Sequence, residues 1–186
     1  MNGSEEAALV RRCQAGDQEA FTRLVERYQS VLFGTAYLML RDRGLAEDAV
    51  QEALIQIWKH LPSLRCQDSL RAWLVRIVVN EVKQQYRKKR VPMVSLEQVS
   101  EMADYVEDAD TPMLGDENRD RIRRALEVLP GEQREAVVLR YFSDLTIPEI
   151  AKALGQREGT VKSRLSRALG HLREILGDDQ VREQGS

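Results

Sequence analysis

Residues 146–173 read TIPEIAKALGQREGTVKSRLSRALGHLR, and this stretch decides the fold. Thr146 and Glu149 have the T-x-x-E spacing of a capping box, which marks a helix start. Pro148 falls in the first turn, where a missing N–H costs little. Ile150, Ala151 and Leu154 supply one apolar face, and Gly155 suits the left-handed position that closes a helix. A second helix is predicted from about Glu158. Its apolar residues Val161, Leu165, Ala168, Leu169, Leu172, Ile175 and Leu176 fall on one stripe at roughly 100° per residue. The other side carries Thr160, Ser163, Ser166 and Arg167, flanked by Lys162 and Arg164. Small hydroxyls beside forked cations suit base edges and phosphates. The pattern is a helix-turn-helix whose second helix enters a DNA groove. A plain amphipathic hairpin explains the stripe, but not the cap, the glycine turn and the nearly acid-free outer face together.

Working outward, the rest of the chain is also helical in pattern. Glu5 to Cys13 makes a short first helix. Asp17 is an N-cap for a long helix to about Leu40, with Phe21, Leu24, Val25, Tyr28, Leu32 and Ala36 at helical spacing. Residues 41–44 break it. A third helix runs from about Ala46 to His60, where Pro62 stops it. A fourth runs from about Ser69 to Arg90. A further helix begins near Asp116, is interrupted at Leu129-Pro130-Gly131, and resumes to about Phe142. The fold class expected is all-α: two small helical domains, 1–90 and 118–177, joined by an acidic linker at 91–117 and followed by a frayed tail, 178–186. Such a linker is long for a loop inside one domain, which separates the two modules.

The net charge of −2 conceals the distribution. Eight of the 30 acidic residues lie in 91–118, together with none of the 28 basic ones. The rest of the chain is therefore basic, and the basic charge gathers in two helices. The second of these, SLRAWLVRIVVNEVKQQYRKKR at 69–90, has seven cations and one acid, Glu81. Leu74, Ile77, Val78 and Val82 form its buried stripe. Arg76, Asn80, Lys83 and Arg87 lie within about 60° of one another on the other side. With Trp73 and Tyr86 nearby, the helix suits stacking of bases and gripping of phosphates. The plainer alternative makes both aromatics core. On the third helix Asp48, Glu52, Ile55 and Lys59 point away from the apolar side, with Gln51 at the edge. An outward Ile ringed by carboxylates suits docking on a basic protein surface.

Other classes find little support. No run of about 18 apolar residues suggests a membrane span, and MNGSEEAALVRR has no signal pattern, so a cytoplasmic location is expected. Cys13 and Cys66 make no metal-ligand spacing, and neither a metal, a cofactor nor a structural disulfide is expected. No nucleophile motif or phosphate-binding glycine loop points to an enzyme. A stand-alone helix-turn-helix regulator accounts for 146–173 but not for the other two helices.

Four strings give the chain a family resemblance: AEDAVQEALIQIW at 46–58, RAWLVRIVVN at 71–80, LRYFSDLTIPEIAKALG at 139–155 and GTVKSRLSRA at 159–168. Residues 19–90 resemble region 2 of bacterial sigma factors and 118–176 resemble region 4. The two-module plan is similar to the extracytoplasmic-function group of the sigma-70 family. The resemblance implies that Asp48, Gln51, Glu52 and Ile55 bind the β′ clamp of core RNA polymerase, with the β flap as a second polymerase contact. It implies that the loop 63–68, with Arg65, and the helix bearing Trp73, Arg76, Asn80, Lys83 and Arg87 open the −10 element of promoter DNA. The helix from Glu158 would enter the −35 major groove, with Thr160, Lys162, Ser163, Arg164 and Arg167 as contacts. The usual family partner is an anti-sigma factor, often membrane-anchored. Gln84 stands where many relatives carry Asp, and the Arg65-Cys66-Gln67 loop also departs from the family pattern, so base preference at −10 does not carry over.

Overall fold

The computed structural model describes residues 3–64, 69–89 and 116–183, and among them there is no strand. The chain divides into two compact units, Met1–Ala109 and Asp110–Ser186.

The first unit holds α1 (Gly3–Gln14), α2 (Gln18–Leu40), α3 (Arg43–His60) and α4 (Leu70–Lys89). Gly16, at φ +86, turns the chain between α1 and α2. Asp17 caps α2 as the sequence predicts, accepting from the Ala20 N–H at 3.0 Å. Its carboxyl is held below the usual aspartate range by that bond and by Arg12, 2.7 Å away. The break after α2 is shorter than the predicted 41–44. Arg41 closes α2 in the left-handed conformation, donating to Tyr37 O at 2.8 Å. Asp42 at once caps α3, accepting from Leu45 N at 3.0 Å. Arg43 and Gly44 are therefore helical: a good cap outweighs the roughly 1 kcal/mol that a helical glycine costs.

α2, α3 and α4 pack against one another. α3 turns Ala46, Ala49 and Ala53 inward, all fully buried, with Ile57 below them. Alanines at this spacing line one helix face and let backbones approach closely. Against them lie Leu24, Leu32 and Met39 of α2 and Leu74, Val75, Val78, Val79 and Val82 of α4. α1 lies on α2 through Val10 and Cys13. It is pinned by the Tyr28 hydroxyl, which donates to Glu6 Oε2 at 2.7 Å. Gln14 Nε2 donates to Leu61 O at 3.3 Å and Leu64 O at 3.0 Å, bracing the 3-10 turn Leu61–Ser63 that ends α3.

The second unit holds α5 (Asp116–Val128), α6 (Gly131–Val137) running into a π turn (Val138–Phe142), α7 (Ile147–Leu154) and α8 (Glu158–Glu183). α5 takes in Asp116 and Glu117 of the predicted linker; residues 91–115 of that linker lie outside the described residues. The Glu149 carboxylate accepts from the Thr146 N–H at 2.8 Å and the Thr146 hydroxyl at 2.7 Å, completing the cap at α7. Gly155 closes α7 at φ +68, ψ 39. Ala136, Leu139, Leu145, Ile150, Val161 and Ala168 form the core. α8 continues through Gly177 to Glu183, past the predicted fray, because one glycine without a proline weakens a helix but does not end it.

Candidate nucleic-acid and polymerase interfaces

α8 is organised by its two faces. Val161, Leu165 and Ala168 are buried against α6 and α7. Thr160, Lys162, Ser163, Ser166 and Arg167 are exposed. Ser163 Oγ donates to Thr160 O at 2.9 Å. Arg167 lies back along the helix, with Nε 3.2 Å from Ser163 O and Nη2 3.3 Å from Ser163 Oγ. Hydroxyl and guanidinium are thus pre-arranged side by side on the open surface. Arg164 departs from the sequence reading. Its side chain is only 12% exposed and is engaged by Glu132 at 2.7 Å and Gln156 at 2.6 Å. Glu132 and Gln156, which hold Arg164, were missed because neither belongs to the cationic string on α8. The T-x-x-E cap and the glycine were the legible signals; a cross-helix acid has none.

On α3, Asp48, Gln51, Glu52 and Ile55 all reach solvent. Ile55 is 47% exposed, among the largest apolar side chains at the surface. Trp58, expected on the buried side, stays 37% exposed with its ring edge-on to Phe21, 4.8 Å between centroids. The acidic face extends onto α4: burial and the nearby Glu52 charge push the Glu81 carboxyl up, partly offset by Lys88.

On α4, Asn80 and Arg87 are exposed, while Arg76 and Lys83 are half-buried. Arg87 Nε lies 3.4 Å from Lys83 O. The aromatics take the plainer alternative. Trp73 is 7% exposed, packed in the core, so the expected stacking platform is not at the surface. The Tyr86 hydroxyl donates to Met39 O. Buried residues on α4 include Ala72 through Val75 as well as Val78, Val79 and Val82. The helix is buried over more of its circumference than a single stripe predicts. Arg65 and Cys66 lie outside the described residues. Cys13 is a buried free thiol, pushed up by desolvation and by Asp17. Among the described residues no His, Cys, Asp or Glu cluster is arranged to hold a metal, and no helix is long and apolar enough to cross a membrane.

A family model described as Sigma-70 region 2 matches residues 24–91. One described as Sigma-70, region 4 matches residues 119–172. The ECF RNA polymerase sigma factor SigM of Mycobacterium tuberculosis (strain ATCC 25618 / H37Rv) is 36% identical over 173 residues, covering 92% of this chain and 85% of that protein. SigK of Mycobacterium bovis (strain BCG / Pasteur 1173P2) is 32% identical over 175 residues, covering 91% and 92%. The chain belongs to the extracytoplasmic-function group of sigma-70 factors. Solved relatives agree. The sigma factor RpoE of Bartonella quintana, in complex with the anti-sigma factor NepR, has a TM-score of 0.67 at 30% identity, covering 84% of this chain and 96% of that one. CnrH in complex with the cytosolic domain of CnrY has a TM-score of 0.65 at 25% identity, covering 92% and 97%. As a sigma factor the chain is a transcription initiation factor that directs RNA polymerase to promoters. The stand-alone regulator reading leaves the region 2 match unexplained.

Proposed function

We propose a division of labour for this sigma factor. Residues 1–90 dock on core polymerase and open the −10 element, 91–117 link, and 118–177 grip the −35 element. Asp48, Gln51, Glu52 and Ile55 meet the β′ clamp, with Ile55 as an apolar plug inside an acidic ring. Asn80, Arg76, Lys83 and Arg87 of α4 hold the single strand as the duplex opens, together with Arg65; Trp73 supports them from the core. Thr160, Lys162, Ser163 and Arg167 read the −35 major groove, and the second unit also meets the β flap. The chain acts in the cytoplasm, supplies no catalytic group and needs no metal or cofactor; polymerase makes the RNA. An anti-sigma factor occludes these faces; the solved relative RpoE is itself in complex with the anti-sigma factor NepR.

Melting costs a few kcal/mol or so per unstacked step, which base capture and cationic contacts must offset. Two modest grips suffice because one polymerase surface holds both modules and raises their effective concentration.

The observation that carries this reading is the exposed hydroxyl-and-guanidinium row on α8, coupled in one chain to an exposed Ile55 on the same face of α3 as exposed Asp48, Gln51 and Glu52. Run-off transcription with core polymerase and a promoter library tests it. Arg167→Ala lowers −35-dependent initiation but leaves polymerase binding intact, whereas Glu52→Arg weakens polymerase binding. Normal binding by Glu52→Arg overturns the docking face.

A further inference from the structure

Arg164 stands within the cationic string of α8 but is turned from the open face. Nη2 lies 2.7 Å from Glu132 Oε2, in the first turn of α6. Nη1 donates to Gln156 Oε1 at 2.6 Å, in the turn between α7 and α8. Two helical turns further on, His171 Nδ1 lies 2.9 Å from Gln133 Oε1, the neighbour of Glu132. Residues 164 and 171 share one side of a helix. The start of α6 therefore holds α8 at two levels along one line, and Arg164 also ties in the glycine turn.

We propose that Arg164 is a positioning residue for −35 recognition and does not touch DNA. It fixes the angle at which Thr160, Lys162, Ser163 and Arg167 enter the groove, acting through Glu132 and Gln156. The proposal rests on the reading of α8 as the −35 helix. Glu132 is 73% exposed, so solvent screens the pair and its share in global stability is small. Orientation is what it controls. A guanidinium suits this task because its rigid fork reaches two acceptors at once.

The test uses the full chain bound to core polymerase, on a promoter selected from a library, with its −35 element intact or scrambled. The readout is the affinity ratio between the two DNAs. Arg164→Glu and Glu132→Arg each lower that ratio on the order of tenfold, the loss of one charge-assisted hydrogen bond of the largely buried Arg164 side chain. The double variant R164E/E132R recovers most of it, with Gln156 turning its amide to donate. Glu132→Gln, on the surface and safe for folding, also lowers the ratio. A DNA-reading Arg164 gives the opposite pattern. Glu132→Gln then holds or raises the ratio, Arg164→Glu abolishes it, and the swap restores nothing; that result overturns the proposal. Arg167→Ala separates the two levels. If it lowers the ratio while the swap fails, positioning alone falls. If it leaves the ratio unchanged, the −35 reading falls and positioning falls with it.

Discussion

Replacing Gly155 with Ala should loosen the helix-turn-helix, and the size of the effect follows from the backbone. Gly155 sits at φ +68, ψ 39, and a Cβ built there meets nothing within 4 Å. The cost is therefore conformational and owes nothing to collision. A side chain in the left-handed region costs roughly 1–2 kcal/mol. Stiffening the unfolded chain returns about 0.5 kcal/mol, leaving a net loss of about 1 kcal/mol. Gly155→Asn should cost less, since Asn tolerates this conformation. Gly170, inside α8 with open space around it and no positive φ, provides a control of opposite sign. There the same change to Ala should gain roughly 0.5–1 kcal/mol. Hydrogen exchange on the full chain reads the local opening of α7 and α8 without assuming one global transition. Amides that exchange through opening of this unit should speed up about fivefold in Gly155→Ala and slow in Gly170→Ala. Unchanged exchange in Gly155→Ala, or an Asn variant worse than Ala, refutes the account of the turn.

Three further outcomes follow from the first unit. The Tyr28 phenol is pushed up to about 12 by burial and by the Glu6 carboxylate it faces. Its proton is held more tightly when folded, so its stabilisation is full below the ordinary tyrosine pKa and is lost as pH rises from there through about 12. Tyrosinate absorbance should show one late-titrating group, absent in Tyr28→Phe. The Glu81 carboxyl is pushed up, first by desolvation and then by Glu52. In its charged form it opposes folding, and the opposition lifts as pH falls through its raised pKa toward the ordinary glutamate value. Glu81→Gln should therefore stabilise the unit at neutral pH, with the gap closing in acid, as denaturant midpoints across pH will reveal. Ile55, being 47% exposed, should tolerate Ile55→Arg with under about 0.5 kcal/mol of stability change. Polymerase binding should nevertheless fall at least tenfold or so, the loss of an interface anchor; a fall in stability instead places Ile55 in the core.

What was legible in the sequence was local. Asp17, Thr146, Glu149 and Gly155 act within a few residues of themselves, and each does in the structure what its spacing predicts. Where two local signals competed, the weaker one misled: Gly44 reads as a breaker, but the Asp42 cap three residues before Leu45 takes precedence. Trp73 shows a second kind of limit. Periodicity gives α4 one stripe, but how much of a helix is buried depends on how many neighbours it has, and α4 packs against both α2 and α3. The π turn at Val138–Phe142 had no signature, since it is set by Ser143 and Leu145 bonding back to Val138 and Leu139. Of the residues expected to contact −35 DNA, Thr160, Lys162, Ser163 and Arg167 are exposed. Exposure disagrees for Arg164, whose environment depends on Glu132 in another helix.

That disagreement separates two kinds of cation on one helix. Arg167 bonds only to Ser163, one turn back on its own helix, through contacts of 3.2 and 3.3 Å. Pairs of this sort on a helix surface contribute about 0.2–0.5 kcal/mol. Under the proposed −35 role, DNA can displace them at little cost. Arg164, whose own side chain is only 12% exposed, would have to leave two acceptors at 2.6 and 2.7 Å, of which Glu132 is open to solvent. With the Glu132 contact discounted for solvent screening, the two bonds together are worth about 1.5–3 kcal/mol, comparable to what one bidentate base contact returns. Releasing it for DNA would therefore gain little and would untether the helix as well. Charge alone cannot tell a reader from a holder on such a helix; the cost of freeing the side chain can.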